Sequence, residues 1–306
     1  MSMKFVTAPC SWGVYNLDRP NPPWKRVLKE ASIAGYKGLE LGAYGYLPLD
    51  LDVVSEELHK NDLNIIAGTI FDDMLTESYF KNIVQQAHDI CGLISKLPKA
   101  EKGEKQHYAT PYLVLIDWGH SERDCFAGHP DKAPSPSDAQ WNTMMDHFRT
   151  VAKIAWEEYG VRPVIHPHAG GYIEFGEEID RMAADIPYET AGLCLDTGHL
   201  YYSKMDPAEW LKKYADRLDY VHFKDVDLKV YNEVMNDHCR FLDACDRFVM
   251  CSIGKGAVDY PAVLKALKEI DYNGYICLEL ERDSKYVDQS LEDVTASLNY
   301  LKSIGF

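Results

Sequence analysis

Short apolar runs along the chain alternate with longer stretches in which apolar positions recur three and four apart. Runs of the first kind, bounded by Gly, Pro, Asp or His, read as buried strands, and the longer ones as amphipathic helices. Phe5–Pro9 is the first expected strand. Trp24–Ala34 is the first helix, carrying Val27, Leu28 and Ala31 at helical spacing and closed by Gly35, which suits a left-handed cap. Gly38–Gly42 is strand two, Val53–His59 belongs to helix two, and Asn64–Thr69 is strand three, with a long helix from about Glu77 to Leu97. Tyr112–Asp117 follows as strand four, a helix runs from about Ala139 to Glu158, and Arg162–Ile165 is strand five. The sixth run, Ala191–Leu195, stops at Asp196. A helix opened by Asp206 and Pro207, with Trp210, Leu211 and Tyr214 on one face, leads to strand seven, Leu218–Val221, which ends on His222. Tyr275–Leu278 is strand eight, ends on Glu279, and precedes a last helix reaching about Leu301. Eight strand–helix units without a linker-like change of composition predict an α/β fold, a (β/α)8 TIM barrel forming a single domain over residues 1–306.

Two segments exceed this pattern, Gly119–Ser137 after strand four and Leu228–Lys255 after strand seven. Both fall on the face where a barrel carries its chemistry, so these long loops serve either as a lid or as support for a homo-oligomer.

Composition narrows the partners. The chain has 306 residues, 46% of them apolar, and 20 Tyr, enough for a large core. A net charge of −16 argues against a nucleic-acid backbone or an anionic membrane as partner, since both demand a positive patch. The first residues lack the apolar run of a secretory signal, and no stretch approaches the ~18 apolar residues of a spanning helix. A cytoplasmic location is therefore expected. The eight Cys form no CxxC pair, Cys194 and Cys277 sit inside strands, and the six-residue spacing of Cys239, Cys245 and Cys251 is not that of zinc ligands. Reduced thiols are expected.

Chemistry-bearing residues collect at the strand ends. Strand five ends in His166-Pro167-His168, strand six in Asp196 with His199 close behind, strand seven in His222 with Lys224 just beyond, and strand eight in Glu279. Burying such groups beside a core costs several kcal/mol unless they are paired or bound to a metal. Four consecutive strands ending this way therefore predict a divalent metal site. Its mixed nitrogen and oxygen donors suit Mn, Co, Fe or Zn better than Ca.

The segments Leu195-Asp196-Thr197-Gly198-His199, Val221-His222-Phe223-Lys224-Asp225 and Leu278-Glu279 resemble those of the xylose isomerase-like TIM-barrel superfamily, which includes sugar epimerases, isomerases and type IV endonucleases. Within it the chain is most similar to inosose (2-keto-myo-inositol) dehydratases. The matching pieces are Ser11-Trp12-Gly13, residues 34–42, His166-Pro167-His168-Ala169-Gly170, Asp216-Arg217, residues 254–259 and residues 279–283. This resemblance implies a metal-dependent lyase that removes a proton α to a ketone and expels a β-hydroxyl, acting on a small keto-polyol or keto-sugar. Mn or Co is the implied metal, with Zn or Fe also admissible. The alternative is a sugar isomerase, an epimerase or a keto-glycoside-cleaving enzyme, all of which share the enolisation step.

Carried over by position, the resemblance implies Asp196, His222 and Glu279 as metal ligands. The fourth ligand in the epimerases is a Glu, where this chain has His166; those enzymes use their two ligating Glu residues as acid and base on opposite substrate faces. Either His166 completes the metal site, or His168 or Glu174 reaches the metal or serves as base. His199 is implied as a contact to substrate oxygen and Lys224 as a partner for a developing oxyanion. The acid–base candidates are thus His166, His168, Glu174, His199 and Lys224. Glu40, at the end of strand two, is expected to bond a polyol hydroxyl, and Trp12 to wall a sugar-ring face. Arg282 either binds substrate oxygen or neutralises Glu279 and Glu281. The chain departs from the dehydratases after Ser11-Trp12-Gly13, where residues 14–20 replace an acidic Asn/Asp run. An endonuclease would need further His ligands where Glu40 and Thr69 stand. A non-enzymatic sugar-binding barrel is the remaining class.

Overall fold

The computed structural model describes residues 3–306. Its strands are β1 (Lys4–Thr7), β2 (Gly38–Glu40), β3 (Asn64–Asp72), β4 (Tyr112–Asp117), β5 (Arg162–Ile165), β6 (Gly192–Asp196), β7 (Leu218–Phe223), β8 (Asp225–Val226), β9 (Met250–Cys251) and β10 (Tyr275–Leu278). Eight of them close a parallel barrel in the order β1-β10-β7-β6-β5-β4-β3-β2. The expected first strand is cut short at Thr7, because Pro9, which has no N–H to give a ladder, opens a 3-10 turn over Pro9–Trp12. Gly35 ends the first helix at φ 99°, as its position suggested. Asp206 caps the helix Pro207–Lys213 by accepting from the Ala208 and Glu209 amides at 2.8 and 3.2 Å.

Strand residues alternate between two apolar layers. Val114, Ile116, Val164, Cys194, Tyr220 and Cys277 fill the barrel interior. Their neighbours Leu113, Leu115, Ile165, Leu193, Val221 and Leu278 pack outward against the helices. Both faces are buried, which is why these strands read as nearly continuous apolar runs.

The two insertions are not the structureless loops their composition suggested. The first contains a short helix, Ser121–Asp124, and the second folds into helices Leu228–Asp237 and Phe241–Asp246 followed by β9, which pairs antiparallel with β8. Val234, Phe241, Ala244, Val249 and Met250 from the second join Ala127 from the first in a separate apolar cluster above the barrel. Asp124 ties them together, accepting from Phe241 N–H at 3.0 Å and Arg240 Nε at 2.9 Å. At the root of the hairpin, Asp225 accepts four amides, from Val226, Gly254, Gly256 and Val258. A Cβ on Gly256 would lie 2.2 Å from its carboxylate, so only glycine allows this close approach. Among the described residues, no helix is long and apolar enough to cross a membrane.

Candidate active site

Inward-facing positions continue past the strand ends with the same period of two. Val164 is followed by His166 and His168, Tyr220 by His222 and Lys224, and Cys277 by Glu279 and Glu281. Register places Asp196 directly beside His222. These side chains sit at the carboxyl-terminal mouth of the barrel, all buried except Glu279, which is partly exposed.

Lys224 is at the centre of the charge. Its ammonium lies 2.8 Å from Asp196 Oδ2, pairs with Glu279 Oε2, and is 3.8 Å from Glu281 Oε1. Asp196 Oδ1 caps the following helix, accepting from the Gly198 and His199 amides at 2.7 and 2.9 Å, which leaves Oδ2 for the site. Burial works against both carboxylates, yet Lys224 and His166 hold Asp196 well below its usual range, and His222 and Lys224 do the same for Glu279.

The nitrogen donors are under-used. Among the described residues, neither ring nitrogen of His166 has a hydrogen-bond partner, although Nε2 is 3.6 Å from Asp196 Oδ2. His222 has Nδ1 3.1 Å from Glu279 Oε2 and Nε2 2.8 Å from Glu40 Oε1, but neither contact is aligned as a hydrogen bond. Buried donors left unaligned beside anionic oxygens fit a divalent cation better than a closed hydrogen-bond network. The donors form overlapping groups, each within 4.8 Å: His166 with Asp196 and His199, Glu40 with His222, Cys277 and Glu279, His166 with Cys194 and His222, and His168 with His199 and Glu281. The Lys224 ammonium joins the first two of these by pairing with both Asp196 and Glu279. Glu40 stands behind His222, where a carboxylate orients a ligating imidazole, and its other oxygen accepts from Thr69 Oγ1 at 3.1 Å.

Beside this cluster, the His168 and His199 rings lie with centroids 3.9 Å apart, tilted 41° to one another. His168 Nδ1 donates to the Ala169 carbonyl at 2.9 Å, which leaves a lone pair on Nε2. His199 Nδ1 accepts the Ala169 N–H at 3.2 Å, so its proton sits on Nε2. Burial, then neighbouring cationic groups, pushes both well below the usual imidazole range, and both are neutral.

A cavity of about 170 Å³ opens onto His166, His168, His222, Lys224 and Glu279, with Glu40 also on its wall. Asp196 and His199 are buried off its wall, and three other expected residues lie elsewhere. Trp12 is fully buried with Nε1 donating to Glu30 Oε2 at 2.6 Å, so the aromatic wall is instead Phe71, stacked on Trp118 at 4.9 Å, together with Tyr15. Arg282 faces away, bound to Asp293 Oδ2 at 2.7 Å, because the strand period that turns Glu281 inward turns its neighbour outward. Glu174 is held behind the site by the Gly128 and Gly170 amides and Ser203 Oγ, with Arg123 3.7 Å away. Glu40, expected to meet substrate, makes its close contacts to His222 and Thr69. The cavity also holds side chains that the expected set lacks, notably Glu281, Cys10 and Leu242. Glu281 was legible by extending strand eight two residues. Leu242 had no such signal.

A family model described as xylose isomerase-like TIM barrel matches residues 28–304. An inosose dehydratase of Geobacillus kaustophilus (strain HTA426) is 38% identical over 293 residues, covering 90% of this chain and 86% of that protein. An inosose dehydratase of Clostridium perfringens (strain 13 / Type A) is 27% identical over 310 residues, covering 98% and 97%. Among solved structures, the IOLI protein with a bound zinc atom superposes with a TM-score of 0.72 at 18% identity, over 99% of each chain. That likeness concerns the fold.

Proposed function

The chain belongs to the xylose isomerase-like TIM barrel family and is an enzyme, and on that basis we propose that it is a divalent-metal-dependent hydro-lyase dehydrating a keto-cyclitol such as 2-keto-myo-inositol. The observation that carries this reading is the oppositely set imidazole pair, His168 and His199, beside a donor set in which His166 replaces a carboxylate. The inosose dehydratases among its relatives favour the same substrate class.

His166, Asp196, His222 and Glu279 would hold the ion, with Mn²⁺ or Co²⁺ best suited and Zn²⁺ or Fe²⁺ also compatible with these donors. When bound, such an ion polarises the keto oxygen and acidifies the adjacent C–H. Within the chain, His168 Nε2 presents its lone pair to the cavity and accepts the α-proton, while the Lys224 ammonium faces the oxygen on which negative charge develops. The imidazolium of His168 then returns its proton to the β-hydroxyl. The C–O bond breaks, the C–H electron pair becomes the new double bond, and water departs. His199 keeps its Nε2–H buried beside His168, off the cavity wall, and Phe71 covers an apolar ring face. An epimerase would need a carboxylate on each face of the substrate, and His166 occupies one of those places. The acidic surface and a small polyol substrate are consistent with a cytoplasmic enzyme of carbohydrate breakdown that engages neither nucleic acid nor membrane.

The test is to load the protein with Mn²⁺, establish occupancy, supply 2-keto-myo-inositol, and follow dione absorbance together with product mass. A product lighter by one water is expected. Full occupancy with no turnover would sink the dehydratase reading, and a product of unchanged mass would move the enzyme to the isomerases.

A further inference from the structure

We propose that the helix Phe241–Asp246 of the second insertion is a size gate, with Leu242 restricting the site to a single unsubstituted ring and shutting out ring glycosides. This rests on the keto-polyol reading above and adds the residue that sets the substrate's size.

The helix is pinned where it meets the catalytic groups. Phe241 is fully buried, its ring centroid 5.0 Å from that of His168 and 4.9 Å from that of His199. Its N–H is held by Asp124 of the first insertion. One turn on, Ala244 and Cys245 are buried, and Cys245 Sγ donates to Glu281 Oε2 at 3.2 Å. Leu242 sits between these anchors. It is 36% exposed, contributes nothing to the buried cluster beneath, and yet lines the cavity. The anchors on either side fix the backbone from which its side chain projects.

The cavity's size agrees. At about 170 Å³ it falls below the roughly 300–1,000 Å³ usual for pockets that take drug-sized ligands. A cyclitol ring presents C–H groups on its faces and hydroxyls around its rim. Phe71, Val14 and Leu242 supply apolar surface for the former, and His168, Lys224 and Glu281 supply polar partners for the latter. A second sugar on the rim would have to pass the Leu242 side chain.

Calorimetric titration of the Mn²⁺-loaded protein with myo-inositol and with a galactosyl-myo-inositol tests this. Wild type should bind the bare ring and discriminate against its glycoside by a factor within the roughly 10- to 200-fold that pocket size delivers. Leu242→Ala should shrink that ratio toward one with an unchanged melting temperature, and Leu242→Trp should weaken the bare ring as well. Equal binding of both ligands by wild type, or an unchanged ratio in Leu242→Ala, would overturn the gate and leave the polyol reading standing. Binding of neither myo-inositol nor 2-keto-myo-inositol would overturn that reading and the gate with it.

Discussion

His168 and His199 are held in opposite tautomers by the backbone of one residue: the Ala169 carbonyl accepts from His168 Nδ1, and the Ala169 N–H donates to His199 Nδ1. The backbone of a single residue beside two tilted rings thus makes one imidazole a base toward the site and leaves the other protonated on Nε2. Nitrogen-15 NMR should show His168 protonated on Nδ1 and His199 on Nε2 at neutral pH; finding both in one tautomer would contradict the assignment. Replacing His168 by Asn should lower kcat about 10²- to 10⁴-fold with little change in KM, the range expected for losing a general base.

Lys224 balances two buried carboxylates, Asp196 and Glu279. Lys224→Met should destabilise the metal-free protein by about 3–5 kcal/mol, because both charges stay buried without their cation. Adding Mn²⁺ should recover more stability in the variant than in wild type, which denaturant melts with and without the ion would show. An equal response in both proteins would mean that Lys224 and the ion do not share the same carboxylates.

Glu40 and Arg282 separate by where they point. Glu40→Gln removes the carboxylate behind His222 and should cost about 10–100-fold in Mn²⁺ affinity. Arg282→Ala, which breaks a pair with Asp293 outside the cavity, should lower the melting temperature and leave KM alone. A large KM effect from Arg282→Ala would return that residue to the substrate site.

Glu174 gives stability a pH dependence. Burial pushes its carboxyl up to about 7, even with Arg123, two amides and the Ser203 hydroxyl favouring the anion. A carboxyl raised on folding binds more protons in the native state than in the unfolded one between its unfolded value of about 4.3 and about 7, so its contribution is complete below that window and lost as pH rises through it. The difference amounts to about 3 kcal/mol. Urea unfolding at pH 5 and pH 7.5 should show stability falling more, or rising less, between the two pH values in wild type than in Glu174→Gln. Identical pH dependence in the two proteins would refute it.

The barrel, its eight strands and the convergence of His166, Asp196, His222 and Glu279 were legible in the sequence. Apolar period and strand ends are local properties, and a parallel barrel sends every strand end to one face. The same local rule, carried two residues further, also distinguishes Glu281 from Arg282. Only the tertiary structure decided the rest. Trp12 and Glu174 lie in connections, where direction depends on distant partners, Glu30 for one and Arg123 with Ser203 for the other. The tautomers of His168 and His199 follow from how the Ala169 carbonyl and N–H meet their rings, and no residue pattern encodes that. Leu242 reaches the cavity because Asp124, 117 residues before Phe241, clamps the inserted helix. A contact that closes so long a loop forms only once the barrel has brought its two insertions together.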